Sequence, residues 1–441
     1  MRTYCSILRS AGNIILLVFF LLSPSKAQEI VVSGGSGKVY SDFEKRIDAL
    51  VMLNGSTPST ELKVLTELSV EWYEYFNLSY SPEFHTTPVF LSNQTSISPD
   101  DHCGYLVKLS GMVDGKPYTR NLSVFVVDYQ KYKWDDVVLA PLTGATGECD
   151  KLTLELKGNL KPMQYATSNG LLYPLNRELK LNFETLEWNN QWSTQQVNRN
   201  VTPVDGKVDI YDPLLRDTYF EISGDQFSQD LGIASFVSKS GLYAARRVAC
   251  KITTEAAVRT ETHEVDRPGV VSAISGSAPL ELLMKANGNE PVSNYYNWTI
   301  QSGDEVLLSR TDATHTYTFL QAGTFLVKVR AENSYCSYTD SITVKISESA
   351  ISAPNVFSPN GDEINDEFRV AYKSIVEFQG IIFNRWGTKI FEWTDIQKGW
   401  NGTLNGKPVS EGAYFYVIRA KGSDGIIYNL KGDINLLRGN K

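Results

Sequence analysis

The chain has 441 residues, enough for three or four domains of ordinary size. Its 42% apolar and 21% charged content is that of a globular protein and excludes a disordered one. A formal net charge of −8 argues against nucleic acid, because phosphate binding needs clustered Lys and Arg.

Arg2 and Arg9 precede an unbroken apolar run from Ile14 to Leu22, too short to span a bilayer as a helix. Ser25-Lys-Ala27 supplies the small-x-small pattern of a cleavage site. The expectation is a signal peptide over 1–27, cut after Ala27, and an exported chain beginning at Gln28. No Cys follows the apolar run, so a lipoprotein anchor is not expected, and no later stretch is long and apolar enough to cross a membrane. Four cysteines remain after the cut: Cys103, Cys149, Cys250 and Cys336. An even count in an exported chain suggests two disulfides. Three pairings are open; proximity in sequence favours Cys103–Cys149 and Cys250–Cys336. No two are close enough in sequence to suggest zinc.

Residues 28–150 read as a β-rich N-terminal domain. Gly34-Gly-Ser-Gly-Lys38 lacks the phosphate-loop spacing, and Val39 stands where a hydroxyl is needed, so a flexible start is expected. Residues 42–52 suggest one short helix, with Phe43, Ile47 and Leu50 on a common face. Strands follow: Leu68-x-Val-x-Trp72 alternates, and two apolar runs flank the hairpin signal Val113-Asp-Gly-Lys116. A second β-rich, immunoglobulin-like unit is expected over 151–265, opened by Leu152-x-Leu-x-Leu156 and continued by Leu179-x-Leu-x-Phe183. Trp188 and Trp192 stand four apart among polar residues. They suggest either a sugar-stacking platform or aromatics covering a sheet edge. Asp266-Arg-Pro-Gly269 reads as a linker into a third unit over 266–350, and 347–352 as a Ser-rich hinge before a last unit over 353–441.

The common signs of catalysis are sparse. His85, His102, His263 and His315 are scattered, with no HExxH or HxH spacing, and there is no GxSxG elbow. Asp135 and Asp136, adjacent in a strand, would point oppositely and cannot share a proton. Asp362, Asn365 and Asp366 are the best candidates for calcium, which favours carboxylate and amide oxygens. The same residues also build turns unaided by binding their own backbone.

Two stretches carry motifs. The third unit holds Tyr296-Asn-Trp298, Ser302-Gly-Asp304, His315-Thr-Tyr317 and Ala322-Gly-Thr-Phe-Leu-Val-Lys-Val-Arg-Ala331. Physically this is an immunoglobulin-like sandwich around Trp298. It resembles a polycystic-kidney-disease-type (PKD) domain, commonly a spacer or binding module on extracellular proteins. The last unit opens with Pro354-Asn-Val-Phe-Ser-Pro-Asn-Gly-Asp-Glu-Ile-Asn-Asp-Glu-Phe368. It continues with Asn384-Arg-Trp-Gly387, Trp400-Asn-Gly402, Gly412-Ala-Tyr-Phe-Tyr416 and Lys431-Gly-Asp-Ile-Asn-Leu-Leu-Arg438. Its apolar runs and Asn-Gly turns describe a small sandwich. Those five blocks, in that order, resemble the gliding-motility-associated C-terminal domain, the type B sorting domain of the type IX secretion system of Bacteroidetes. Glu363 stands where that family usually has Gly, and Asn401 where it has Asp.

The resemblance implies export to the cell surface or medium and an outer-membrane secretion partner. It marks Asn360, Gly361, Asp362, Asn365, Asp366, Trp386, Gly387, Gly412, Tyr414 and Lys431 as the sorting motif, and of these Trp386, Gly387, Gly412, Tyr414 and Lys431 as the residues that shape or present the recognised surface or else hold the tail's fold. The expected fold class is all-β, tandem immunoglobulin-like sandwiches after a cleaved signal peptide. The expected function is a non-enzymatic surface protein, without a cofactor unless calcium binds, whose body meets a glycan or a protein. The alternative is a carbohydrate-binding module or hydrolase with its active site in 28–265.

Overall fold

In the computed structural model, residues 29–79, 83–144 and 148–438 are described. The signal-peptide expectation, with Ala27, lies outside them. The chain is 58% strand and 2% helix, so the all-β expectation holds. Among the described residues no helix is long and apolar enough to cross a membrane.

The first unit is a six-stranded sheet ordered Gly37–Phe43, Ile47–Leu53, Lys116–Asp128, Cys103–Val113, Ser69–Asn77 and Phe84–Ser92. It faces a small sheet of Glu29–Ser33, Glu61–Leu65 and Ser96–Ile97. Trp72, Tyr105, Val51 and Leu62 lie in the core between the two. The opposite face of the large sheet is covered as well, since Leu50, Met52, Tyr75 and Phe125 pack on Met163, Tyr165 and Phe227.

That two-sided burial explains the first correction. Residues 42–52 are a β-hairpin, not a helix: Ile47–Leu53 is a strand buried on both faces and paired parallel to Lys116–Asp128. A strand covered on both sides loses its alternation and can imitate a helical stripe. Left-handed conformations at Asp42, Glu44 and Lys45 form the turn before it. The glycine-rich start is not loose either, because Glu29–Ser33 pairs with Glu61–Leu65 and Gly34 turns tightly against the Ser59 carbonyl.

The second unit stacks Asp135–Leu142, Leu152–Asn159 and Lys207–Ile210 on a four-stranded sheet of Trp192–Val201, Leu179–Trp188, Glu221–Asp225 and Val237–Lys239. Trp134, Leu154, Phe183 and Phe220 fill its core. Asp135 and Asp136 are exposed at a bulge on the first of these strands.

The third unit packs Cys250–Ala256, Leu280–Gly288 and Thr314–Phe319 on a five-stranded sheet. Trp298 is fully buried at its centre, its indole donating to the Asp312 carbonyl at 2.8 Å. The strand Cys250–Ala256, expected in the unit before, pairs instead with Leu280–Gly288.

The cysteine pairing also differs from expectation. Cys149 is bonded to Cys336, 187 positions away, while Cys103 and Cys250 are free and fully buried. Sequence proximity misleads here because stacked sandwiches bring distant loops together. The two thiols sit inside cores, where burial pushes Cys250 up to about 12 and Cys103 higher still.

Neither expected hinge is loose. The amide of Tyr372 donates to the His263 carbonyl at 3.0 Å, and the Val265 amide donates back to Tyr372 at 2.7 Å. Residues 263–265 thus form a parallel bridge at Glu264 to Tyr372, on the strand Ala371–Lys373 that pairs with Ala350–Ser352. Below it, Arg259 grips the buried Glu264 carboxylate through Nε at 2.9 Å and Nη2 at 2.6 Å. Ser374 takes the Ala278 amide at 2.9 Å and donates to the Ser347 carbonyl at 2.7 Å. The linker is held as well, its Asp266 and Pro268 carbonyls accepting the amides of Ser277 at 2.8 Å and Arg259 at 3.0 Å, so it and the Ser-rich segment are woven into the junction between the third and last units.

Candidate functional site

The last unit is a five-stranded sheet ordered Val356–Phe357, Ile427–Leu436, Gly412–Gly422, Ile375–Phe383 and Lys389–Trp393. Its inner face carries Phe357, Trp393 and Tyr414, and Phe368 and Trp400, bridged to each other outside the sheet, complete the core. Trp393 lies flat on Gly380, where any side chain would meet its ring. Phe383 pairs with Phe415, and Phe357 with Leu436, which faces Gly412. This register sets the 358–366 loop and the 384–387 turn at the same end of the sheet. Ser374 and Asp424, at the opposite end, face the third unit: the Ser349 amide donates to the Asp424 carboxylate at 2.8 Å.

Asn360, Gly361, Asp362, Asn365 and Asp366 come together in one loop, organised by Asp366. Its Oδ1 accepts the amides of Asn360 and Gly361, and its Oδ2 that of Glu363, each at 2.8 Å. Hydrogen bonds from these backbone amides, Gly361 first, hold its carboxyl below the usual range. Asp362 accepts the Ile364 amide at 2.8 Å, closing a second small turn. The carboxylates are thus turned onto their own backbone. Among the described residues no group of three or more His, Cys, Asp or Glu is placed to hold a metal. Glu363 sits at φ 67, a conformation that Gly adopts without strain, which explains the Gly of the resembled motif.

Tyr414 is buried, its ring edge-on to Trp400 at 5.0 Å and its hydroxyl donating to the Ser410 carbonyl at 2.8 Å. Gly412 opens that strand at φ 133. Trp400 is fully buried and donates to the Thr403 carbonyl at 2.9 Å. Asn401 accepts both the Thr403 amide and its hydroxyl, a task its carboxamide does as an Asp would. Lys431 lies on the outer face opposite Val417. Trp386 differs from the rest: it is 73% exposed at the hairpin tip, with the Arg385 guanidinium 4.0 Å above its ring.

Arg438, which closes the last motif block, donates to the carbonyls of Val409 and Gly402 and so ties the strand end to the Trp400 loop; sequence reasoning gave it no role of its own. It also passed over Arg259 and Glu264, which pair five positions apart without a motif, and Ser374, whose partners Ala278 and Ser347 lie ahead of the last unit. Elsewhere, Trp188 and Trp192 meet edge-on at 5.1 Å, and Trp192 donates to the Asn287 carbonyl of the third unit at 3.1 Å. A polar cluster in the first unit surrounds buried Glu74, met by Asn77 at 2.9 Å and by Cys103 and His85 at 3.2 Å.

Three family models match. Residues 142–239 match a fibronectin type III domain (Fn3_FA), 270–346 a PKD domain, and 351–432 the CHU_C type IX secretion signal domain. No curated protein matches the chain. Among solved structures, the immunoglobulin domains 1–5 of Sidekick-1 are similar at 12% identity and TM-score 0.26, covering 92% of this chain and 78% of that one. A tetra-tandem repeat from the extending region of a large adhesion protein is similar at 12% identity and TM-score 0.21, covering 88% and 99%. A Ca2+-stabilized ice-binding adhesin of an Antarctic bacterium follows at 11% and 0.20, covering 92% and 99%. At these TM-scores the likenesses carry no further argument. The chain therefore carries a CHU_C type IX secretion signal domain, preceded by a PKD domain.

Proposed function

We propose that this is a non-enzymatic surface or secreted protein, exported by type IX machinery that reads its last domain and carrying its sandwiches outside the cell as a stalk and recognition body. The observation that carries the reading is the CHU_C match over 351–432, whose motif residues gather in one loop, one hairpin tip and one packed core. Fibronectin type III and PKD units support the stalk role, since such modules typically space and bind. The joints fit it too: the Cys149–Cys336 bond and the Trp192–Asn287 hydrogen bond both bridge neighbouring units. A glycan or protein ligand would be met by the first two units, the far end of the chain from the signal.

The test is truncation at Ser352 in a host with the machinery. The shortened protein is expected to stay in the periplasm, folded and oxidised; its normal appearance outside the cell would overturn the reading.

A further inference from the structure

The geometry points to the Arg385–Trp386 hairpin tip as the contact by which the last domain is read, its partner an export protein presenting an apolar slot rimmed by carboxylates. This rests on the export reading above and adds where and by what chemistry it operates.

Trp386 stands apart from the other tryptophans of the chain. Trp72, Trp298 and Trp400 are fully buried, Trp134 and Trp393 nearly so, and Trp188 and Trp192 cover each other; Trp386 is 73% exposed. A single exposed apolar residue is ordinary. What distinguishes this one is that Trp is the residue type that most often anchors an interface and that it stands on a fixed turn with Arg385 stacked on it.

The tip is nevertheless built rather than loose. The Asn384 side chain accepts the amides of Trp386 and Thr388, each at 3.0 Å. The Gly387 amide returns to the Asn384 carbonyl at 3.0 Å, and Gly387 itself turns at φ 79 with open space around it. A preset turn presents its side chain without paying ordering entropy on contact.

Charge selects the partner. Arg385 stacks on the indole at 4.0 Å and is itself exposed; a stacked guanidinium keeps its in-plane N–H donors for a partner. Ion pairs on this sheet face are Lys389–Glu392 and Lys421–Glu377; outside them stand the cations Arg385, Arg419 and Lys431 and one acid, Asp433, opposite Phe415, which leaves the face with an excess of positive charge. The apolar Phe415 and Val417, each nearly half exposed, continue the surface from the tip along the sheet. An aromatic anchor beside exposed cations suits an apolar slot with an acidic rim, and Trp and Arg are the residues that most often dominate such contacts.

The experiment compares full-length Trp386→Ala, Trp386→Phe and Arg385→Glu with wild type and with the Ser352 truncation, reading export and melting temperature. Removing the anchor should lower export about tenfold or more, charge reversal should do the same, Phe should restore part, and melting should not change. Arg385→Glu keeps the question open to refutation should Trp386→Ala fold poorly. Folded Trp386→Ala and Arg385→Glu exported at the wild-type level, while the truncation is retained, would overturn the tip and leave the export reading standing. Export of the truncation itself would overturn the export reading. Normal export with lost binding to a polysaccharide would assign the tip to a glycan and overturn the proposal.

Discussion

Cys149 and Cys336 join the second unit to the third, their Cα atoms 5.7 Å apart across 187 positions of sequence. The bond closes a long loop and so restricts the unfolded chain, an effect worth roughly 2–5 kcal/mol. Thiol titration of the exported chain in denaturant should therefore find the two thiols of Cys103 and Cys250, and almost none before denaturation. Reduction should lower the melting temperature of the joined units. Four titratable thiols, or none, would contradict the pairing.

Trp192 works at the same joint. Changing it to Phe removes the hydrogen bond to Asn287 and should cost about 1 kcal/mol, read as a lower denaturant midpoint. Trp192→Ala should cost more, because Trp188 loses the ring it packs against. A glycan array should be unaffected by either change; lost sugar binding would restore the stacking-platform reading.

Glu264 is 3% exposed and holds Arg259 and Ser277. Glu264→Ala strands the guanidinium and should destabilise the junction by about 3–5 kcal/mol. Hydrogen exchange at the Val265 and Tyr372 amides, which bond across that junction, should accelerate. Unchanged exchange would show that the linker strand holds without the ion pair.

The loop around Asp366 makes a pH prediction. Its folded carboxyl titrates below the ordinary 3.8, so the stabilisation is complete above that value and is lost as pH falls beneath it. Amide shifts of Gly361 and Glu363 should move in that acid range, and Asp366→Asn should show the altered loop at neutral pH. Chelator should leave the melting temperature unchanged; a drop would favour calcium at Asp362, Asn365 and Asp366.

Much of this was legible before any coordinates. Turns declared themselves through Asn-Gly and Asp-Gly pairs, as at Asp114-Gly115, where both residues take positive φ. Trp298 announced its core because an alternating strand surrounds it. The helix expected over 42–52 failed where a second unit covers the outer face of a strand, a contact no local pattern encodes. The disulfide failed for the same reason, its two cysteines lying 187 positions apart; the Arg259–Glu264 pair is only five positions apart, and was missed because nothing local marks which carboxylate is buried. Within the last domain, Trp386 and Trp400 look alike as letters, and only the coordinates separate the one left in water from the one sealed in the core.

Tyr372 takes its outer neighbour from residues 263–265, in the connection that follows the first strand of the third unit, Cys250–Ala256. A reporter grafted with the tail from Ala353 onward would carry a raw β-edge there, inviting self-association in the periplasm. A graft beginning at Cys250 brings its own cover, and a poor yield from the shorter version would speak of stickiness before it spoke of a missing address.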